Sequence, residues 1–124
     1  MEMEANTVDK VFCGEQQSES DHFFKADNAW NGYDEGMHWR TARGSFSYQL
    51  KAQGAKTLRL QGFAAYERVV VSIDGTVFDT VRLDGQGLSV LALPATLQKE
   101  TITLTLAAEP GKQTPRIHEI RLCK

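Results

Sequence analysis

An all-β, antiparallel β-sandwich of jelly-roll type is the fold this sequence predicts, on three observations. Apolar residues recur with a period of two. Turn signals interrupt the chain about every ten residues. Helical spacing, with apolar positions three and four apart over about eleven residues or more, is nearly absent. A period of two puts one row of side chains inward and the next outward, as a half-buried strand requires. Many short strands separated by regular turns close into sandwiches or barrels.

The elements follow in order. Short strand pieces are expected near Val11–Phe12, Phe23–Lys25 and His38–Thr41. Asp27 to Met37, with Gly32, Gly36, Trp30 and Tyr33, reads as the one long irregular loop, the place where function tends to sit on a rigid sandwich. Phe46, Tyr48 and Leu50 alternate with Ser45, Ser47, Gln49 and Lys51; Leu58 and Leu60 alternate with Thr57, Arg59 and Gln61. Val69, Val71 and Ile73 form one face of the next strand, and Asp74-Gly75 then supplies the positive φ values of a tight hairpin, pairing residues 69–73 with 76–83. Asp84-Gly85-Gln86-Gly87 is a second turn. Pro94 ends the run Leu88–Leu93 because it cannot donate to a ladder. Ile102, Leu104 and Leu106 alternate with threonines until Glu109-Pro110-Gly111, and a last strand runs from about Arg116 to Leu122. The total is roughly eight to ten strands.

A chain of 124 residues holds a single domain, expected over 9–124, with residues 1–8 outside the fold. At 41% hydrophobic and 24% charged residues it is too apolar for disorder. A net charge of -2 and a pI near 5.9 argue against a nucleic-acid partner, which needs a basic stripe to neutralise phosphates. No apolar run approaches the roughly 20 residues that span a bilayer, so no membrane partner is expected. The opening Met-Glu-Met-Glu is acidic and not a signal peptide; if the parent protein is exported, its leader lies outside this sequence. Cys13 and Cys123 show no metal-ligand spacing and sit near opposite chain ends. They are either two separate thiols or, in an oxidising compartment, a bridge between terminal strands.

The string GEQQSE at Gly14 to Glu19, with His22 three residues on, Trp39-Arg40 and GSFSY at Gly44 to Tyr48, resembles the C-terminal β-sandwich domain of bacterial proteins in or near glycoside hydrolase family 127, the β-L-arabinofuranosidase-like enzymes. Asp74-Gly75, Leu93-Pro94 and the closing Glu119 to Leu122 agree, so the resemblance runs from Asp9 onward. More loosely, the order of features is similar to that of galactose-binding-type carbohydrate modules. The resemblance implies an accessory domain of a secreted or periplasmic bacterial enzyme, with catalysis on a separate helical-barrel domain and no catalytic residue or resident cofactor here. A structural calcium, as modules of this architecture often hold, would draw on Glu15, Gln17, Glu19 and Asp21 for oxygens, although their spacing matches no defined calcium loop.

Catalytic constellations are weak on their own terms. Asp34 and Glu35 are adjacent loop residues whose side chains diverge, whereas glycosidases hold two carboxylates about 5–9 Å apart across a sugar. A triad assembled from Ser18 or Ser20, His22 or His38, and Asp21 has no nucleophile elbow behind it. The best ligand-binding candidates are Trp30, Tyr33, Asp34, His38 and Arg40: aromatic rings stack on the C–H faces of sugars while charged and polar groups bond the hydroxyls. Trp39 and Arg40 are strand neighbours and point opposite ways. The competing structural reading has the tryptophans sealing one end of the sandwich and Arg40 tying down the acidic GEQQSESDH segment. In that segment Glu15, Gln16, Gln17, Glu19 and His22 suit docking to a neighbouring domain, because interdomain faces are comparatively polar. Two functions therefore compete: a carbohydrate-binding module, with plant cell-wall oligosaccharides among the candidate ligands, and a structural domain that packs on the parent's catalytic domain. The domain itself is expected to be a monomer.

Overall fold

The computed structural model describes residues 6–95 and 99–124. It contains nine strands and one short helix: β1 (Thr7–Phe12), α1 (Gln16–Asp21), β2 (Lys25–Asp34), β3 (Met37–Lys51), β4 (Thr57–Gly62), β5 (Val69–Ile73), β6 (Thr76–Val81), β7 (Leu88–Ala92), β8 (Thr101–Ala108) and β9 (Ile117–Cys123). All strand pairs are antiparallel. The sheet runs β6-β5-β8-β3-β9-β4-β7, with β1 added on β9 and β2 on β3. The fifteen-residue β3 makes the path curl: its second half pairs with β8 from Ser45 to Lys51, while Arg40 meets Ile117 of β9. The sheet nearly closes on itself, as in a jelly roll.

The apolar rows meet in one core. Phe46, Tyr48 and Leu50 of β3, Leu58 and Leu60 of β4, Val69 and Val71 of β5, Ile102, Leu104 and Leu106 of β8, and Ile120 and Leu122 of β9 are all fully or almost fully buried. Truncating any one of these leucines or isoleucines to Ala costs about 2–5 kcal/mol, the transfer term plus the cavity left behind. The Asp74-Gly75 turn joins β5 to β6 with φ values of 51° and 85°, as its sequence requires.

The structure departs from expectation near the N-terminus. β1 begins at Thr7, opposite Cys123, so the fold opens before Asp9; residues 1–5 lie outside the described residues. The GEQQSESDH segment forms α1, which has a Glu15 N-cap without a side-chain bond and no apolar periodicity. Its six residues are too few to register a helical repeat, although Gln and Glu are good helix formers. The supposed loop 27–37 is a β-hairpin: β2 pairs with β3 from Lys25↔Ser47 to Asp34↔Met37, closed by Glu35-Gly36 at φ 50° and 79°. A glutamate at positive φ is uncommon, which hides this turn from a reading that expects Asn-Gly or Asp-Gly.

The two cysteines are free and buried. The Cys13 amide donates to the His118 carbonyl, whereas Cys123 lies opposite Thr7, five residues further along β9. That offset is roughly 17 Å of strand, far outside disulfide reach.

Candidate functional site

The information-rich flank folds into one assembly, with α1 resting on the inner face of the β2–β3 hairpin. Its anchor is a buried ionic knot. The Arg40 guanidinium donates to both Glu19 carboxylate oxygens, at 3.0 Å from Nε and 2.6 Å from Nη2, and the Tyr48 hydroxyl donates to Glu19 Oε2 at 2.6 Å. Phe24 stacks on the guanidinium at 4.3 Å and on the Tyr48 ring at 5.5 Å. Burial alone lowers the Arg40 pKa, but the Glu19 bonds outweigh it and hold the group above its ordinary value. Burial pushes the Tyr48 hydroxyl far up, reinforced by Cys13 and Glu19 beside it. Both are therefore fixed donors at any physiological pH, and Glu19 is the acceptor that both require.

A second stitch holds the far end of α1. One ring nitrogen of His22 lies 2.7 Å from the Ser18 carbonyl and the other 3.0 Å from Asp9 Oδ1, while Asp9 Oδ2 accepts from the Lys51 amide at 2.8 Å. The Phe12 amide donates to Ser18 Oγ at 2.9 Å. Gly14 lets the chain turn into α1 at φ 83°; a Cβ there would meet the Trp39 carbonyl oxygen at 2.5 Å, so no other residue fits.

Between α1 and the hairpin lies an open cleft of about 540 Å³, lined by Gly14, Gln16, Glu19, Ser20, Phe23, Phe24, Asn31 and Arg40. Phe23 stands at its rim, 64% exposed, with φ 54°. A bulky residue at positive φ costs energy, and such strain clusters at ligand sites. Asn31 makes one long 3.4 Å contact from its amide nitrogen to the Gly14 carbonyl. Among the described residues no partner engages its amide oxygen, the Gln16 amide or the Ser20 hydroxyl. Tyr33, 65% exposed, shares the Asn31 face one pleat nearer the hairpin tip and packs edge-on against His38 at 4.7 Å.

The pleat divides the five residues expected to bind ligand. Tyr33, His38 and Arg40 face the α1 side; Trp30 and Asp34 face away with Trp39. On that outer side the Trp39 ring lies over Gly32, where a Cβ would come within 2.3 Å of it. Arg116 stacks on Trp39 at 4.8 Å and reaches Asp34 at 3.6 Å. Trp39 Nε1 is buried without a hydrogen-bond partner among the described residues. Trp30 is only 37% exposed. Arg40 is committed to Glu19, so it positions the cleft floor and is not a free sugar ligand.

Of the docking candidates, Glu15, Gln16 and Gln17 are exposed, whereas Glu19 and His22 are consumed internally. Among the oxygens considered for calcium, Glu19 already accepts three hydrogen bonds and Asp21 accepts from Gln17 at 2.9 Å. No group of three or more His, Cys, Asp or Glu converges among the described residues. As ligand contacts Phe23 and Asn31 escaped the sequence reading, and Ser20 entered it only as a triad candidate. The adjacent Phe23-Phe24 pair was the available signal: two aromatics in succession on a half-buried segment leave one ring facing out.

Comparison with known proteins agrees with this architecture. Residues 2–123 match the family described as "Family of unknown function (DUF6805)". No curated protein matches the sequence. Among solved structures, a family 35 carbohydrate binding module from an environmental isolate superposes with a TM-score of 0.67 at 17% identity, covering 93% of this chain and 92% of that one. A family 35 module from Clostridium thermocellum gives 0.57 at 12% identity, covering 91% and 96%. An exo-β-1,3-galactanase from Phanerochaete chrysosporium, solved with β-1,3-galactotriose, gives 0.62 at 13% identity; 91% of this chain covers only 28% of that enzyme. At these identities the likeness establishes the fold.

Proposed function

The chain belongs to DUF6805, a family of unknown function, and we propose that it serves as a non-catalytic carbohydrate-binding domain attached to a bacterial glycoside hydrolase. The carrying observation is the cleft: an exposed aromatic ring beside an amide oxygen, a second amide and a hydroxyl, none of them engaged by the protein. Rings that stack on sugar C–H faces and neutral groups that bond hydroxyls are what a glycan site needs. The shared fold with family 35 carbohydrate binding modules supports this reading. So does the same fold's presence as about a quarter of a galactanase chain, the arrangement of an accessory domain.

The non-catalytic part of the proposal is supported by two carboxylates held by arginines. Glu19 is buried under Arg40, and Asp34 points at Arg116 across the hairpin from it. Among the described residues no helix is long and apolar enough to cross a membrane. Secretion or periplasmic placement of the parent, a monomeric state and the absence of a resident cofactor complete the proposal.

Isothermal titration with a panel of plant cell-wall oligosaccharides tests it. Saturable binding to at least one, lost in Phe23→Ala, is the expected result. A second reading, docking to the parent's catalytic domain, draws on the exposed Glu15, Gln16 and Gln17 face of α1. A silent panel together with stable association of the two domains would replace the first reading with that one.

A further inference from the structure

Every charge that lines the cleft is cancelled within it. Of the eight lining residues, only Glu19 and Arg40 are ionic, and they hold each other through two hydrogen bonds. The third acceptor position on Glu19 goes to Tyr48, and the Phe24 ring covers the guanidinium. The groups left over are neutral: Gln16, Ser20, Asn31 and the Phe23 ring. The helix beside the cleft adds no cation: α1 has no basic residue in its last turn, and its charges outside the knot, Asp21 and the preceding Glu15, are acidic.

We propose that this cleft takes an uncharged glycan and rejects glycans bearing a carboxylate or sulfate. The inference rests on the carbohydrate-binding reading above and names the ligand class of the same site. A uronate entering here would lose hydration and meet no free cation among the lining residues, with no basic residue on α1 to draw it in. A neutral sugar loses only hydroxyl hydration, which Asn31, Ser20 and Gln16 replace. Its C–H face meets Phe23, and a longer chain continues along the strand face to Tyr33.

The test pairs neutral arabino-, xylo- and galacto-oligosaccharides with the same backbones carrying one uronate, titrated against the full chain and three variants whose folding is checked by thermal melting. The expected result is binding of a neutral member, at least about tenfold weaker binding of its uronate partner, and loss of the neutral ligand in Phe23→Ala and Asn31→Ala. Gln16→Lys, which adds a cation at the rim without touching the buried knot, should narrow the gap between the pair. Uronate binding as tight as neutral binding, still dependent on Phe23 and Asn31, would overturn this proposal and leave the domain a carbohydrate binder. Neutral binding that survives both alanine variants but fails in Trp30→Ala would also overturn it, moving the site to the outer face. A gap that stays as wide in Gln16→Lys would refute the charge argument. If no member of either set binds, this proposal falls together with the functional reading.

Discussion

Arg40 of β3 and Glu19 of α1, 21 residues apart in the chain, form a two-bond ion pair that fastens the helix to the hairpin. The pair joins the two segments that carry most of the sequence's chemical information. It makes one of the expected ligand residues and one of the expected docking residues partners in a single support.

Breaking that pair from one side is expected to cost more than removing it whole. Glu19→Ala leaves the guanidinium and the Tyr48 hydroxyl buried and unpaired, a loss of about 3–5 kcal/mol. Glu19→Leu combined with Arg40→Met removes both charges and is expected to recover a good part of that. Urea denaturation of the two variants checks the order. A double variant no more stable than Glu19→Ala would contradict the account.

Asp74 predicts an acid-sensitive contribution to stability. A hydrogen bond from Lys99 and one from the Thr103 amide hold its carboxyl below its ordinary value of 3.8. A carboxylate depressed in the folded state contributes fully above the unfolded value and loses that contribution as pH falls through the folded one. The melting temperature of Asp74→Asn is therefore expected below that of the parent at neutral pH, with the difference shrinking below about pH 4. A difference that stays constant down to pH 2 would contradict it.

The thiols are expected to be inert in the native protein. Burial pushes the Cys13 thiol far up, the Tyr48 hydrogen bond only partly opposing it, and Glu19 nearby adds to the rise. A raised thiol pKa leaves almost no nucleophilic thiolate. Mass spectrometry after iodoacetamide should show no adduct under native conditions and two in denaturant, with no mass change on reduction. Rapid native labelling of Cys13 would be the contrary finding.

Trp39 separates the contribution of packing from that of hydrogen bonding. Its ring fills the space over Gly32 under Arg116, but its indole N–H has no hydrogen-bond partner among the described residues. Trp39→Phe keeps much of the stacking and removes an unsatisfied donor, so a loss of no more than about 1.5 kcal/mol is expected, against about 3–5 for Trp39→Ala. Thermal melts of the two variants decide it, and equal losses would contradict the packing described.

The strands that bury one face were legible in the sequence, because burial is what makes alternation visible. β4, β5, β8 and β9 announce themselves through Leu58/Leu60, Val69/Val71, Ile102/Leu104/Leu106 and Ile120/Leu122. β2 does not. Eight of its ten residues are exposed, Asn28 sits at φ 52° in a bulge opposite Gly44, and the strand is held by β3's backbone and not by a core row. For the same reason Asn31, polar and on a strand without a pattern, gave no sign of its role. The tie between Arg40 and the acidic segment was legible as charge complementarity, since a lone arginine on an inward row needs a partner. Phe23 was legible only in part: the Phe23-Phe24 pair signals one outward ring, but nothing in composition or spacing marks a residue that will sit in the left-handed region after a one-and-a-half-turn helix.

Nitrogen-15 chemical-shift mapping during titration with the neutral cell-wall oligosaccharides reads the site without any mutation. The account predicts that the amides of Gly14, Gln16, Ser20, Phe23 and Asn31 move together and saturate, while Trp30, Trp39 and the β4 and β9 amides stay still. Shifts confined to the outer face, or none at any oligosaccharide concentration, would contradict it.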